Sequence, residues 1–267
     1  MKTGVIQLNS SDQKAQNIQK ALHFVNGAIQ KGADFIALPE VFNFRGRIQT
    51  KDQRQRVAEK IPGESILPFM ALAKLRRVFI LCGSIYEKIP GSDKVYNTSV
   101  LIDSRGEIKA VYRKMHLFQA VIQNRLIQEA EIFRSGGNPA MARVGEFQAG
   151  LSICYDLRFP ELYRRYAREG AHIFCVPSAF TKPTGESHFE TLLKARAIEN
   201  LCYVLAPNQT GRGGRGIPCF GRSMIIDPWG RVLAKASADK EEVIFAQLSL
   251  SQLKQKRARL PMGPFEG

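Results

Sequence analysis

The stretch that decides the reading is Gly150-Leu151-Ser152-Ile153-Cys154-Tyr155-Asp156-Leu157-Arg158-Phe159-Pro160-Glu161. An apolar run ends in a cysteine, a short polar turn follows, and Pro160 opens a helical pattern. Proline suits a first helical position, where its missing N–H would have no partner. Strand, sharp turn and helix start together put the Cys154 thiol at the rim of a buried strand, facing unpaired N–H groups. A helix N-terminus favours negative charge, so it lowers the pKa of a nearby thiol and can stabilise an oxyanion. Read alone, the stretch fits a core cysteine equally well, because free cysteine is among the most buried residue types.

Acyl transfer by a thiol needs a base for its proton and a positive group for the developing charge. Two segments supply them. Phe35-Ile36-Ala37-Leu38-Pro39-Glu40 is a short apolar strand that delivers a carboxylate at its end. Val111-Tyr112-Arg113-Lys114-Met115-His116-Leu117-Phe118 sets Lys114 just after another strand pattern. Taken singly, a glutamate after Leu-Pro reads as a turn residue and a lysine beside Arg113 as a surface cation.

Taken together, Glu40 in "LPE", Lys114 in "YRKMHLF" and Cys154 in "CYDLRFPE" resemble the Glu-Lys-Cys triad of the nitrilase (carbon–nitrogen hydrolase) superfamily. The resemblance continues through "VPSAF" (176–180), "KARAIEN" (194–200) and "DPWG" (227–230), six motifs in the family's order over nearly the whole chain. It implies a four-layer αββα sandwich, stacked with a second copy as a homodimer or higher homo-oligomer. It also implies a thiol amidase in which Cys154 attacks, Glu40 is the base, and Lys114 with the Tyr155 backbone N–H holds the oxyanion. Glu129 in "QEAEIFRSGG" matches the family's second glutamate by its offset before Gly136, although Glu131 lies close by. It would orient Lys114 or the substrate amide. Tyr155, Arg158, Phe180 and Thr181 follow the ends of strands bearing the site and are the candidate pocket residues. His116 and His188 read as structural or substrate-side. The resemblance calls for no metal and no cofactor; the partner it implies is a small-molecule amide.

The residues after the cysteine, "CYDLRFPELYR", resemble the Nit-type branch of omega-amidases and deaminated glutathione amidases. Nitrilases more often carry Trp-Glu there. The implied reaction is hydrolysis of the terminal amide of a small carboxylate- or keto acid-bearing substrate to acid and ammonia. Two alternatives stay open: an N-carbamoyl amino acid amidohydrolase or nitrilase on the same triad, and a non-catalytic basic binding protein on the same fold. The chain departs from the family pattern at Gln119, Ser135, Phe189 and Arg222, none of them a triad position.

Length and composition set bounds. A chain of 267 residues can bury one large core, and without a linker it reads as a single domain over 1–267. Five scattered cysteines without C-x-x-C spacing argue against a disulfide framework or zinc site and for a reducing cytoplasm. There is no apolar run long enough to cross a bilayer, and residues 1–8 read as a first strand rather than a signal peptide. The formal net charge of +15 is spread along the chain without a nucleic-acid motif, so a solvated basic surface is expected, not a specific nucleic-acid partner. No internal repeat is evident.

Hydrophobic periodicity alone predicts α/β. Helices are expected over 11–31, 65–76, 161–169, 187–200 and 249–259, with strands between them. Residues 43–60 read as a polar loop, and 209–218 as a flexible, glycine- and arginine-rich one. Residues 115–138 read as an irregular segment that covers part of the site.

Overall fold

The structure is a computed structural model that describes residues 1–122, 125–214 and 216–261. The last residues of the expected domain, 262–267, and position 215 of the glycine-rich loop lie outside the described residues.

The first half of the chain forms β1 (Lys2–Gln7), β2 (Phe35–Ala37), β3 (Phe79–Lys88), β4 (Val95–Ile102) and β5 (Ile108–Arg113). A two-stranded ribbon follows, β6 (Gln119–Ile122) and β7 (Arg125–Gln128). The second half forms β8 (Ala140–Val144), β9 (Phe147–Leu151), β10 (Ile173–Cys175), β11 (Tyr203–Ala206), β12 (Met224–Ile226), β13 (Val232–Lys235) and β14 (Glu242–Gln247). The helices are α1 (Lys14–Gln30), α2 (Lys51–Val57), α3 (Leu67–Arg76), α4 (Pro160–Arg168), α5 (Lys182–Thr184), α6 (Glu190–Asn200) and α7 (Leu250–Arg259).

Two six-stranded sheets result, with orders β14-β1-β2-β3-β4-β5 and β13-β12-β11-β10-β9-β8. The alternation of side chains along each strand assigns the layers. Val5, Phe35, Ala37, Leu81 and Leu101 pack with Ala149 and Leu151 between the sheets. Their neighbours Ile6, Ile36, Ile80, Val100 and Ile102 turn the other way, onto Ala21 and Val25 of α1 and Phe69 and Ala73 of α3. The second sheet is covered by α4 and α6 through Leu162, Tyr166, Leu193 and Ala197. The order is helix, sheet, sheet, helix: the αββα sandwich that the family motifs imply. Close approach has a sequence cause at Gly150, where an added Cβ would lie 2.7 Å from the Tyr166 ring.

The two halves repeat one plan that the sequence reading missed. In each sheet three parallel strands are followed by an antiparallel pair: β1-β2-β3 then β4-β5, and β9-β10-β11 then β12-β13. The turns closing those pairs match atom for atom. Asp103 Oδ1 accepts from the N–H of Arg105 (2.9 Å) and Glu107 (3.0 Å). Asp227 Oδ1 accepts from the N–H of Trp229 (2.9 Å) and Arg231 (2.9 Å). Gly106 and Gly230 take the left-handed position at φ 80° and 81°, which glycine adopts without strain.

Three local expectations change. The polar loop contains α2, which the Thr50–Gln53 capping box starts; short, polar and without a buried residue, it carries no apolar stripe to read. The irregular segment contains the β6–β7 ribbon. The glycine- and arginine-rich loop is tied down: the Arg45 guanidinium donates to the carbonyls of Thr210 (3.0 Å), Gly211 (3.0 Å) and Ile217 (2.8 Å). No helix among the described residues is long and apolar enough to cross a membrane.

Candidate active site

Glu40 lies just beyond β2, the strand held in parallel between β1 and β3. The chain leaves that strand by passing Gly83, where a Cβ would sit 1.8 Å from the Pro39 carbonyl oxygen. Val41 then takes φ 49°, a conformation rare for a β-branched residue. The turn is held because the Val41 N–H donates to Ser84 Oγ (2.9 Å) and Gln209 Nε2 donates to the Glu40 carbonyl (2.9 Å). The Glu40 side chain is buried as a result.

Lys114 follows β5 directly. Its N–H donates to the Asn97 carbonyl on the neighbouring strand (2.9 Å), and its carbonyl accepts from the Gly136 N–H (2.8 Å). Gly136 is required there, since a Cβ would meet the Arg113 carbonyl oxygen at 2.2 Å. Glu129 closes the base of the β6–β7 ribbon: its N–H donates to the Phe118 carbonyl (2.9 Å) and its Oε2 accepts from the Phe118 N–H (2.8 Å). Glu131, the other acidic residue of that segment, is exposed.

These elements converge on the Lys114 ammonium, which is fully buried. Its Nζ is 2.9 Å from Glu40 Oε1 and 2.9 Å from Glu129 Oε2. Burial alone would lower the lysine pKa, but the charges of Glu129 and Glu40 outweigh it and hold the group well above its usual value. Burial, opposed by Lys114, pushes the Glu129 carboxyl up. Asn97 Nδ2 adds a hydrogen bond to the same Glu40 Oε1 (2.9 Å).

Cys154 is where the structure departs from the electrostatic expectation. The strand β9 ends at Leu151, and Cys154 begins a 3-10 turn, Cys154–Arg158, at φ 48°. Burial raises its thiol pKa well above the ordinary value, the Glu40 carboxylate raises it further, and Lys114 and the Ala179 N–H pull it down. Desolvation therefore outweighs the Lys114 charge and the Ala179 N–H, so the folded site raises the thiol pKa where the turn by itself would lower it. The turn is held by Asp156, a fully buried carboxylate absent from the sequence-derived set. It accepts from the Ile153 N–H (2.8 Å), the Tyr112 hydroxyl (2.7 Å) and the His116 N–H (2.9 Å), and contacts His116 Nδ1 at 2.7 Å. His116 also stacks on Phe159 with ring centroids 3.6 Å apart, so it is a structural residue.

Glu40, Glu129 and Cys154 line one pocket, together with all four candidate pocket residues, Tyr155, Arg158, Phe180 and Thr181. The Arg158 guanidinium lies over the rings of Tyr155 (5.7 Å) and Phe180 (5.6 Å) and beside His188 Nδ1 (3.2 Å). The covering segment contributes Phe118, Ile127 and Phe133 to the wall. Arg45, Ile217 and Cys219 also line it and were missed, because they come from loops distant in sequence from the motifs. Among the described residues no group of His, Cys, Asp and Glu side chains could hold a metal ion.

A buried lysine between two carboxylates, beside a cysteine at a strained strand-to-turn junction, on an αββα sandwich, defines a class. The chain belongs to the carbon–nitrogen hydrolase family, whose pattern matches residues 2–258, and is a hydrolase of carbon–nitrogen bonds other than peptide bonds. Within that family it is 37% identical over 267 residues to the deaminated glutathione amidase of Dictyostelium discoideum, a match covering 97% of this chain and 91% of that one. It is 39% identical over 260 residues to the deaminated glutathione amidase of Synechocystis sp., covering 96% and 94%. The fold matches the crystal structure of the C. elegans NitFhit protein with a TM-score of 0.89 at 36% identity, over 97% of this chain and 63% of that chain.

Proposed function

We propose that this chain is a thiol amidase that hydrolyses the terminal amide of a small carboxylate- or keto acid-bearing substrate to acid and ammonia. The observation that carries the reading is the Lys114 ammonium, clamped 2.9 Å from both Glu40 and Glu129 in the pocket that Cys154 lines. Glu40 takes the Cys154 proton as sulfur attacks the amide carbonyl, which fits a thiol whose pKa burial raises. The oxyanion sits against Lys114 and the Tyr155 N–H. Glu40 returns the proton to the departing nitrogen, the carbon–nitrogen bond breaks, and ammonia leaves a thioester on Cys154. A water deprotonated by Glu40 attacks that thioester; the acid departs and the thiol takes back the proton. Glu129 fixes the direction of Lys114, and Arg158, with Tyr155, Phe180 and Thr181, receives the anionic end of the substrate. Each step falls to a side chain of this chain, so the reading calls for no metal or cofactor.

The two deaminated glutathione amidases support a Nit-type substrate, as do the basic pocket residues. The chain works as one domain in a homodimer or higher homo-oligomer, and its five free cysteines accord with the cytoplasm. The test is ammonia release from α-ketoglutaramate, α-ketosuccinamate, deaminated glutathione and an N-carbamoyl amino acid. Cys154→Ala should abolish turnover, by at least about 10³-fold, and an acyl adduct on Cys154 should be trapped by mass spectrometry in the wild type. An active Cys154→Ala protein removes the mechanism; carbon dioxide accompanying the ammonia moves the substrate to the carbamoyl class.

A further inference from the structure

Asn97 lies on β4, opposite Tyr86 of β3, and is buried. It touches both charged partners of the site. Its carbonyl accepts from the Lys114 N–H (2.9 Å), and its Nδ2 donates to Glu40 Oε1 (2.9 Å). That oxygen also accepts from Lys114 Nζ (2.9 Å), so two donors occupy Oε1. Among the described residues nothing donates to Oε2. The two carboxylate oxygens are thus made unlike: one is pinned, the other is left for a proton. Asn97 Oδ1 is itself buried and has no partner among the described residues. A buried acceptor without a donor is costly, and an apolar side chain of the same size would avoid that cost. The amide is kept for what Nδ2 does.

We propose that Asn97 is a positioning residue for the general base. It shares Oε1 with Lys114 and so turns Glu40 Oε2 towards the Cys154 thiol and, later, the attacking water. It also sets the spacing between base and ammonium, because one residue holds the Glu40 side chain and the Lys114 backbone. This rests on the thiol amidase reading, with Glu40 as base. The same argument predicts an opposition between stability and rate. Removing the amide removes the unpartnered acceptor along with the donor, so the protein should hold or gain stability while it loses activity.

The test is Asn97→Leu, with Asn97→Asp as an isosteric second variant in case the leucine protein fails to fold. Turnover of the amide found active in the wild type should fall by about 10²-fold in kcat with KM held within about threefold. Iodoacetamide labelling of Cys154, which needs no knowledge of the substrate, should slow by about tenfold, and the leucine variant's Tm should be unchanged or raised. A folded variant with kcat and labelling within about twofold of wild type overturns the inference, as does a loss expressed in KM alone. The two readings fail separately. A Cys154→Ala protein that still turns over substrate removes the amidase mechanism; a Cys154-dependent wild type with an unaffected Asn97 variant removes only the role of Asn97.

Discussion

At the scale of single residues, the site is a balance of buried charges. One ammonium faces two carboxylates, and the balance differs at each. Lys114 is held above its usual pKa, near 10.5, by its partners. Its contribution to stability is therefore complete below that value and is lost only as pH rises through the higher native pKa. Glu129 is raised instead, by burial first, so its ionised form costs stability at neutral pH, and that cost disappears as pH falls through its native pKa towards 4.5. The stability of Glu129→Gln relative to wild type should accordingly be greatest at pH about 8 and fall as the solution is acidified. Urea titrations at a series of pH values measure this. The same substitution should lower kcat by about 10²-fold, because Lys114 loses one of the two groups that aim it. Motif spacing identified Lys114 and Glu129, but the direction of each shift depends on burial and neighbours. The Cys154 thiol shows this: the sequence placed it at a turn that lowers its pKa, and desolvation in the folded site raises it.

At the scale of elements, each catalytic candidate sits just past a strand end, and a buried polar group ties one such end to the next. Asp156 is the clearest case. It joins the turn bearing Cys154 to the segment bearing Lys114 through the Ile153 N–H, the His116 N–H and the Tyr112 hydroxyl. Asp156→Asn keeps the shape but replaces one acceptor with a donor, leaving at least one buried N–H unpaired. The loss should be about 2–3 kcal/mol in chemical denaturation, with kcat falling more than KM rises under the proposed mechanism, because Cys154 and the Lys114 ammonium drift apart while the rest of the pocket wall remains. Strand positions were legible from apolar runs and turn residues; the helix α2 and the β6–β7 ribbon were not. Both are short and carry little of the periodic apolar signal that marks a buried face.

At the scale of the whole molecule, the +15 charge belongs to the substrate question. A strongly basic protein with arginines at its pocket raises the local concentration of anionic ligands. For an anionic amide, kcat/KM should fall by several-fold to about tenfold between roughly 20 and 300 mM salt while kcat stays level. For a neutral amide both should be insensitive. Steady-state rates across a salt series separate the two, and a flat kcat/KM for an anionic substrate would remove the electrostatic role. By itself the sequence determined the family and most of the order of strands and helices, and it nominated Glu40, Lys114, Cys154 and Glu129 as site residues, because motifs carry residue type and spacing along the chain. It also contained the matching Asp103 and Asp227 turns, but only the paired sheets make the repeated plan plain. Only the tertiary structure decided which oxygen of Glu40 is occupied, that burial raises the Cys154 thiol pKa, and that Asn97, Asp156 and Gln209 hydrogen-bond to the segments bearing Glu40, Lys114 and Cys154 while Arg45 ties the 210–217 loop. Those facts depend on burial and on contacts between residues far apart in sequence, and neither is written in local order.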